Sequence, residues 1–257
     1  MSKELKINKQ NELIRGYDFL SLNGKKCLNS IYYLLQKNYP QYPELLKSNY
    51  INIRLNNLRD IMNLSNNYNY IDTIKEGMEE LQTQIVKLKN FKNPLDNRIY
   101  DYYSFTFLDN VGFRKTDKEW IITIKLNDIT RYLITKNENY TRLELLHNLN
   151  TLRTKYSMKL YEYLMSFRDY RYIDISKDYL ILLLNLNPKS KYRYFSQLKE
   201  LLERQIKEII NKTDFKELKL LPYKDKNSFR FIINPKSKKT ITQEKINKSI
   251  KEFIKKF

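Results

Sequence analysis

Apolar residues recur along this chain in two alternating rhythms. Leu28, Ile31, Leu34 and Leu35 predict a helix over Cys27–Gln36, which Pro40 and Pro43 end. Tyr50, Ile51 and Ile53 predict a short strand. Leu55, Leu58, Ile61 and Met62 predict a short helix that stops at an asparagine-rich turn, Leu64–Asn69. Ile74, Met78, Leu81, Ile85 and Leu88 then share one face of a longer helix over Tyr70–Lys89. The period drops to two at Tyr103, Phe105 and Phe107, and again at Trp120, Ile122, Ile124 and Leu126. Between these strands lies a basic hairpin tip, Asp109–Glu119, with Gly112, Arg114, Lys115 and Lys118.

The rhythm then repeats. A long helix is predicted from about Leu143 to Phe167, with Leu149, Leu152, Tyr156, Leu160, Leu164 and Phe167 on one face. Tyr172–Ile175 reads as a strand, Ser176 as an N-cap, and Lys177–Leu184 as a helix. Asn185–Ser190 is a turn, Tyr192–Asn211 a second long helix, and Phe215–Leu221 and Ser228–Ile233 a strand pair. A shift of 122 residues maps Ile51, Ile53, Leu58, Ile61, Met62, Leu64 and Tyr70 onto Ile173, Ile175, Leu180, Leu183, Leu184, Leu186 and Tyr192. Dropping one residue maps Ile74, Leu81, Gln84, Ile85 and Leu88 onto Phe195, Leu202, Gln205, Ile206 and Ile209.

Helix, strand, helix, turn, helix, strand, strand is the order of a winged helix, in which a helix-turn-helix reads DNA and the strand pair forms the wing. The expected fold is therefore α+β, with two tandem winged-helix domains related by internal duplication. The boundaries read as a flexible arm at 1–24, a first domain at 25–140, a second at 141–236 and a basic amphipathic helix at 237–257. In that tail Thr240 and Gln243 fit a capping box, while Ile246, Ile250, Phe253, Ile254 and Phe257 oppose Lys248, Lys251 and Lys255. Its short apolar face suits docking on its own domain or a partner better than lying on a membrane.

Composition narrows the chemistry. Over 257 residues, 48 Lys and Arg against 29 Asp and Glu give a net charge of +19, which favours nucleic acid or an anionic surface as partner. The longest apolar run, Tyr179–Leu184, is too short to span a bilayer, and the N-terminus lacks the apolar region of a signal peptide. One cysteine, Cys27, and one histidine, His147, build neither a zinc site nor a disulfide, and Cys27 reads as the reduced thiol of a cytoplasmic protein. The four glycines are too scattered for a phosphate loop or dinucleotide fingerprint. No metal, cofactor or catalytic residue is expected, and the chain reads as a binding protein rather than an enzyme.

Burial of Phe195, Leu198, Leu202 and Ile206 turns Arg193, Ser196, Gln197, Glu200 and Arg204 outward on the second long helix. The N-terminal residues of a recognition helix reach base edges, which nominates Arg193 for guanine and Gln197 for adenine. Lys189, Lys191 and Lys199 suit phosphates. Tyr192 can stack or donate to phosphate, and Tyr194 is expected to pack. Lys224, Lys226 and Arg230 lie on the second wing, and Arg114 and Lys115 on the first. The first domain's reading face offers Thr73 and Lys75 beside Asn69, Asp72 and Glu76, so it is expected to read DNA more weakly or to serve partly in protein contacts.

Lys155–Leu164, KYSMKLYEYL, resembles a hallmark of plasmid replication initiators with two winged-helix domains. Glu208–Asp214, EIINKTD, is similar to a second hallmark of that family at the end of its second recognition helix. Met78–Leu81, MEEL, lies where the family's first long helix is expected. The resemblance covers about residues 27–235. It implies binding to origin direct repeats (iterons) in double-stranded DNA, opening of AT-rich DNA, and recruitment of the host initiator and replicative helicase machinery. It also implies a homodimer, formed largely through the first domain, that represses its own gene and exchanges with a DNA-binding monomer. The rival reading is a winged-helix transcription regulator with no replication role. A nicking enzyme lacks its histidine pair, and no RNA-binding signature is present.

Overall fold

The computed structural model describes residues 5–38, 50–64, 69–135, 139–145 and 147–237. Pro40, Pro43, most of the asparagine-rich turn and, apart from Ser237, the helix expected at 237–257 lie outside those residues. The chain divides into two compact units, Met1–Lys155 and Tyr156–Phe257.

The first unit runs β1 (Lys6–Gln10), α1 (Asn11–Arg15), α2 (Leu22–Asn38), β2 (Ile51–Arg54), α3 (Leu55–Ile61), α4 (Tyr70–Thr83), β3 (Val86–Lys92), β4 (Ile99–Phe105), β5 (Leu108–Lys115), β6 (Trp120–Leu126), α5 (Asp128–Thr135) and β7 (Tyr140–Glu144). Its winged helix consists of α2, β2, α3, α4 and the β5–β6 wing. Strand β2 buries Ile51 and Ile53, exposes Asn52 and Arg54, and pairs antiparallel with β6 in a sheet of order β2-β6-β5. Leu58, Ile74, Met78, Leu81, Ile122 and Ile124 are fully buried. Each contributes on the order of 1.5–3 kcal/mol of apolar burial.

Helices α2 and α4 cross at two glycines. A Cβ at Gly77 would stand 2.6 Å from Cys27 Sγ, and one at Gly24 would stand 2.2 Å from Glu80 Oε2. Glu80 is held there because its Oε2 accepts from Ser21 N (3.0 Å) and Ser21 Oγ (2.8 Å), just before α2 begins. A carboxylate suits that helix end, where free N–H groups concentrate positive charge. Burial, and then the charge of Glu80, push the Cys27 thiol well above its ordinary range, so it is held as an inert thiol.

The second unit holds α6 (Lys155–Met165), which opens at the division, β8 (Tyr172–Ser176), α7 (Lys177–Leu183), α8 (Phe195–Lys212), β9 (Lys219–Tyr223) and β10 (Ser228–Ile232). Ser176 caps α7 by accepting from Tyr179 N at 3.3 Å. The sheet order β8-β10-β9 repeats the arrangement of the first wing sheet. Ile173, Ile175, Phe229 and Phe231 are buried with Leu198, Leu202 and Ile209 of α8. The two-winged-helix α+β expectation is met.

Asparagine takes left-handed backbone positions, at turns and, for Asn90, within β3. Asn63, Asn90, Asn97, Asn139, Asn185 and Asn227 all have positive φ, and none of the glycines does. Asn63 and Asn185 end α3 and α7 in the same way. Leu64 N donates to Arg59 O and Asn63 N to Asp60 O, while Leu186 N donates to Ile181 O and Asn185 N to Leu182 O. Both are Schellman ends with asparagine in the left-handed position.

The structure corrects the sequence reading at several places. Residues 5–24 are not a flexible arm. β1 pairs along its length with β7, Ile7 opposite Leu143, and Gln36 of α2 bonds the backbone of Asn8 on both sides (2.9 and 2.7 Å). That pairing ties β7 to the first unit, so the division falls at Lys155/Tyr156 and not at 140/141. The helix expected over 143–167 is a strand, a 3-10 turn at Leu149–Thr151 and then α6. Helix α4 stops at Thr83, and Val86 and Leu88 alternate inward on β3 while Ile85 is exposed. β3 pairs with β4, so the strand around Tyr103 belongs to an added hairpin and the first wing begins at β5. Arg114 and Lys115 lie on β5, and the turn is closed by Thr116 N donating to Glu119 O (2.9 Å). The internal correspondence therefore fails from Gln84 onward, where Gln84, Ile85 and Leu88 have left the helix but Gln205, Ile206 and Ile209 remain on α8. Helix α5, begun by Asn127 Oδ1 accepting from Ile129 N (3.0 Å), was not foreseen.

Candidate nucleic-acid interface

The approach to α8 is built from local hydrogen bonds. Asn187 Oδ1 accepts from Lys189 N (2.9 Å), and Asn187 O accepts from Ser190 N (2.9 Å) and Ser190 Oγ (2.6 Å). Ser190 Oγ in turn accepts from Tyr192 N (3.4 Å) and caps a 3-10 turn at Lys191–Arg193. The helix thus begins at Phe195 rather than Tyr192, and Tyr192 and Arg193 sit on the turn before it. Proline at 188 and this bonding hold the segment away from the helical path that apolar spacing alone suggests.

This surface is cationic. Lys189, Lys191, Arg193, Ser196, Arg204, Lys224 and Lys226 are exposed, and Tyr192, Gln197 and Lys199 are half-buried. Lys191 Nζ lies 5.5 Å from the Tyr192 ring centre, and Lys199 pairs with Glu203 at 3.5 Å. A shallow depression is lined by Lys191, Glu200, Glu203, Arg204 and Lys207. Phe195 stacks face to face on Phe229 of β10, centroids 4.5 Å apart and planes 7° apart, and so fixes the start of α8 against the wing.

Arg230 is placed differently from a free phosphate-binding cation. It stands opposite Asp174 in the β8–β10 ladder and donates to both carboxylate oxygens, Nε at 2.7 Å and Nη2 at 2.8 Å. Its guanidinium lies 3.9 Å from the centre of Tyr172 and 5.2 Å from that of Tyr223. The Asp174 hydrogen bonds push its pKa further up, and the cation stays charged at any working pH.

On the first unit, Thr73 and Lys75 are half-buried on α4, with Asp72 and Glu76 exposed beside them. Lys75 Nζ lies 4.9 Å from the centre of Trp120 on β6, which joins the recognition helix to its wing by a cation–π contact. Arg114 and Lys115 are exposed, and Arg54 pairs with Glu119 at 3.2 Å.

Trp120 and Asp174 were not legible from the sequence as partners of Lys75 and Arg230, because each pairing joins separate elements. The sequence pattern also leads one to expect Tyr194 to pack, yet Tyr194 is 53% exposed. His147 sits in a turn whose backbone N–H donates to Glu144 Oε2 (2.6 Å), and among the described residues no cluster of His, Cys, Asp or Glu could hold a metal ion.

The two hallmark segments meet. Tyr161 of α6 donates to Asp214 Oδ1 (3.3 Å) and sets its ring edge against Phe215. Thr213 Oγ1 donates to Ile209 O (2.8 Å) and accepts from Phe215 N (3.2 Å) as α8 ends. Ser157, Lys159 and Glu162 are buried along with Leu160 and Leu164, so α6 is enclosed from Ser157 to Met165 and that part of its motif is architectural.

The family model described as initiator replication protein, first winged helix (WH1), matches residues 6–165. The chain belongs to the initiator replication protein family. The matched span holds the whole described winged helix of the first unit and ends at the last residue of α6. Among solved structures, the initiator is similar to domains 2 and 3 of RctB. A selenomethionine crystal structure of those domains has 12% sequence identity and a TM-score of 0.49, with 83% of this chain and 82% of that chain covered. A second RctB structure has 11% identity and a TM-score of 0.45, with 82% and 81% covered. No curated protein matches in sequence. Among the described residues, no helix of the initiator is long and apolar enough to cross a membrane.

Proposed function

We propose that this initiator is a non-enzymatic, sequence-specific double-stranded DNA-binding protein of the cytoplasm that starts replication at an origin carrying direct repeats (iterons). One observation supports this reading above the others. The second unit presents Lys189, Lys191 and Arg193 immediately before a recognition helix that bears Ser196, Gln197 and Arg204, beside a wing tip with Lys224 and Lys226. Each of two winged helices sets a helix into a major groove, so repeats of about two helical turns, roughly 20 bp, suit the pair. Binding bends or strains neighbouring AT-rich DNA toward opening, and the host initiator and replicative helicase machinery are recruited there. The first unit, with its carboxylates beside Thr73 and Lys75, contributes less to sequence reading and supports a homodimer that represses its own gene and gives way to the DNA-binding monomer.

The test is binding to duplex DNA across a salt series, using a sequence enriched by the wild-type chain from a randomised pool and a scrambled control. Neutralising about six phosphates gives a log–log slope near −5. Arg193→Ala and Gln197→Ala are each expected to cost about 1–3 kcal/mol on the enriched sequence and to relax discrimination there. Lys189→Ala is expected to weaken both duplexes alike and to shallow the slope by about one unit. Thr73→Ala is expected to cost less than either base-reading change. A slope shallower than about −2 contradicts the electrostatic basis, and loss of discrimination in Thr73→Ala alone moves the reading helix to the first unit.

Absence of catalysis is tested separately. Supercoiled DNA carrying the enriched sequence, incubated with the protein and Mg²⁺ or Mn²⁺, is expected to stay unnicked and free of a tyrosyl–DNA adduct. Either product contradicts the non-enzymatic reading.

A further inference from the structure

Three consecutive residues ahead of and at the start of α8 are each held by a different group. Lys177, the first residue of α7, donates its Nζ to Arg193 O at 3.0 Å. Phe195 is stacked on Phe229. Between them, the backbone of Tyr194 donates to Lys191 O and accepts from Leu198 N, both at 3.1 Å. With its main chain so fixed, Tyr194 directs an exposed ring to the Arg193 side chain. The guanidinium lies 4.7 Å from the ring centre, and its Nη2 donates to the phenolic oxygen at 2.5 Å.

We infer that Tyr194 is a specificity-determining positioning residue, which holds the Arg193 fork in a defined pose for a guanine edge. The inference rests on the base-reading assignment of Arg193 above. An exposed arginine samples many rotamers, and bidentate reading of guanine demands one of them. A stack and a hydrogen bond restrict those rotamers before DNA arrives, so less side-chain freedom is lost on binding. The guanidinium has five N–H donors and spends one on the phenol, which leaves enough for guanine O6 and N7. A contact with phosphate needs charge but no fixed fork. Tyr194 therefore acts on discrimination between sequences and leaves the general affinity for duplex DNA alone.

The experiment measures the full-length chain on the enriched duplex and its scrambled control, with Arg193→Ala, Tyr194→Leu, Tyr194→Phe and the Arg193→Ala/Tyr194→Leu double variant. Melting temperatures are taken alongside. Tyr194→Leu is expected to lose about fivefold to tenfold on the enriched duplex and less than about twofold on the scrambled one, at an unchanged melting temperature. Tyr194→Phe keeps the stack and is expected to fall between wild type and Tyr194→Leu. The double variant is expected to be no weaker than Arg193→Ala, because the ring acts through that arginine. Equal losses on both duplexes, additive losses in the double variant, or unchanged or sharper discrimination in Tyr194→Leu overturn the inference while Arg193 remains a base reader. Intact discrimination in Arg193→Ala overturns both the inference and the assignment beneath it.

Discussion

Gly77→Ala is expected to destabilise the first unit by about 1–3 kcal/mol, although alanine is the better helix former by about 1 kcal/mol. The reason is space. The new methyl would stand 2.6 Å from Cys27 Sγ and 3.1 Å from Asn23 O, and Cys27 is wholly buried, so α4 must retreat from α2. Denaturant titration of the full chain measures the loss. Cys27→Ala removes the sulfur, and in that background Gly77→Ala is expected to cost much less, a coupling that a double-mutant cycle reads directly. A stabilised Gly77→Ala in the wild-type background, following helix propensity, rules out a tight crossing. Because α4 is the recognition helix of this unit, the same substitution is expected to shift Lys75 away from Trp120.

Arg230→Ala is expected to lower the stability of the second unit by about 2–4 kcal/mol, the scale for removing one partner of a largely buried ion pair. Asp174 has a side chain only 5% exposed, whereas that of Arg230 is 29% exposed, so truncating the arginine leaves a buried carboxylate unpaired and the rings of Tyr172 and Tyr223 without their cation. Arg230→Lys is expected to recover only part of the loss, since an ammonium group does not reproduce the two parallel hydrogen bonds. Asp174→Ala combined with Arg230→Ala is expected to cost less than the sum of the two. Thermal unfolding checks these outcomes. A simple phosphate-binding role for Arg230 predicts the opposite pattern, with an unchanged melting temperature and a salt slope shallower by about one unit.

Where apolar spacing was strong, the sequence was readable. α4 and α8 bury Ile74, Met78, Leu81, Leu198, Leu202 and Ile209 as expected, and β6 buries Ile122 and Ile124. The errors fall where two periods fit equally well or where pairing is remote. Ile85 and Leu88 continue the helical spacing of α4, yet Val86 and Leu88 alternate as a strand once Tyr103 and Phe105 lie opposite. β1 contains a single aliphatic residue, and it is ordered by β7, more than 120 residues away, and by Gln36 and Asn29 of α2. None of these partners can be read from a local window. The same division holds at the interface. Exposed cations such as Lys189, Lys191 and Arg204 were legible because a long charged side chain is rarely buried unpaired. The pairing of Arg230 with Asp174, and of Arg193 with the ring of Tyr194, depends on strand register and on one 3-10 turn.

The left-handed asparagines among the described residues bear on the chain before it folds. Glycine in those places would adopt the left-handed angles without strain, but it would also leave the denatured chain with the widest choice of backbone angles there. Asparagine narrows that choice and tolerates the left-handed region through its short polar side chain. The ends of α3 and α7 and the corner at Asn227 are thus biased toward their native directions while the strands they separate are still apart. In a fold whose sheets join β2 to β6 across some seventy residues, corners with fewer alternatives shorten the search for the distant partner.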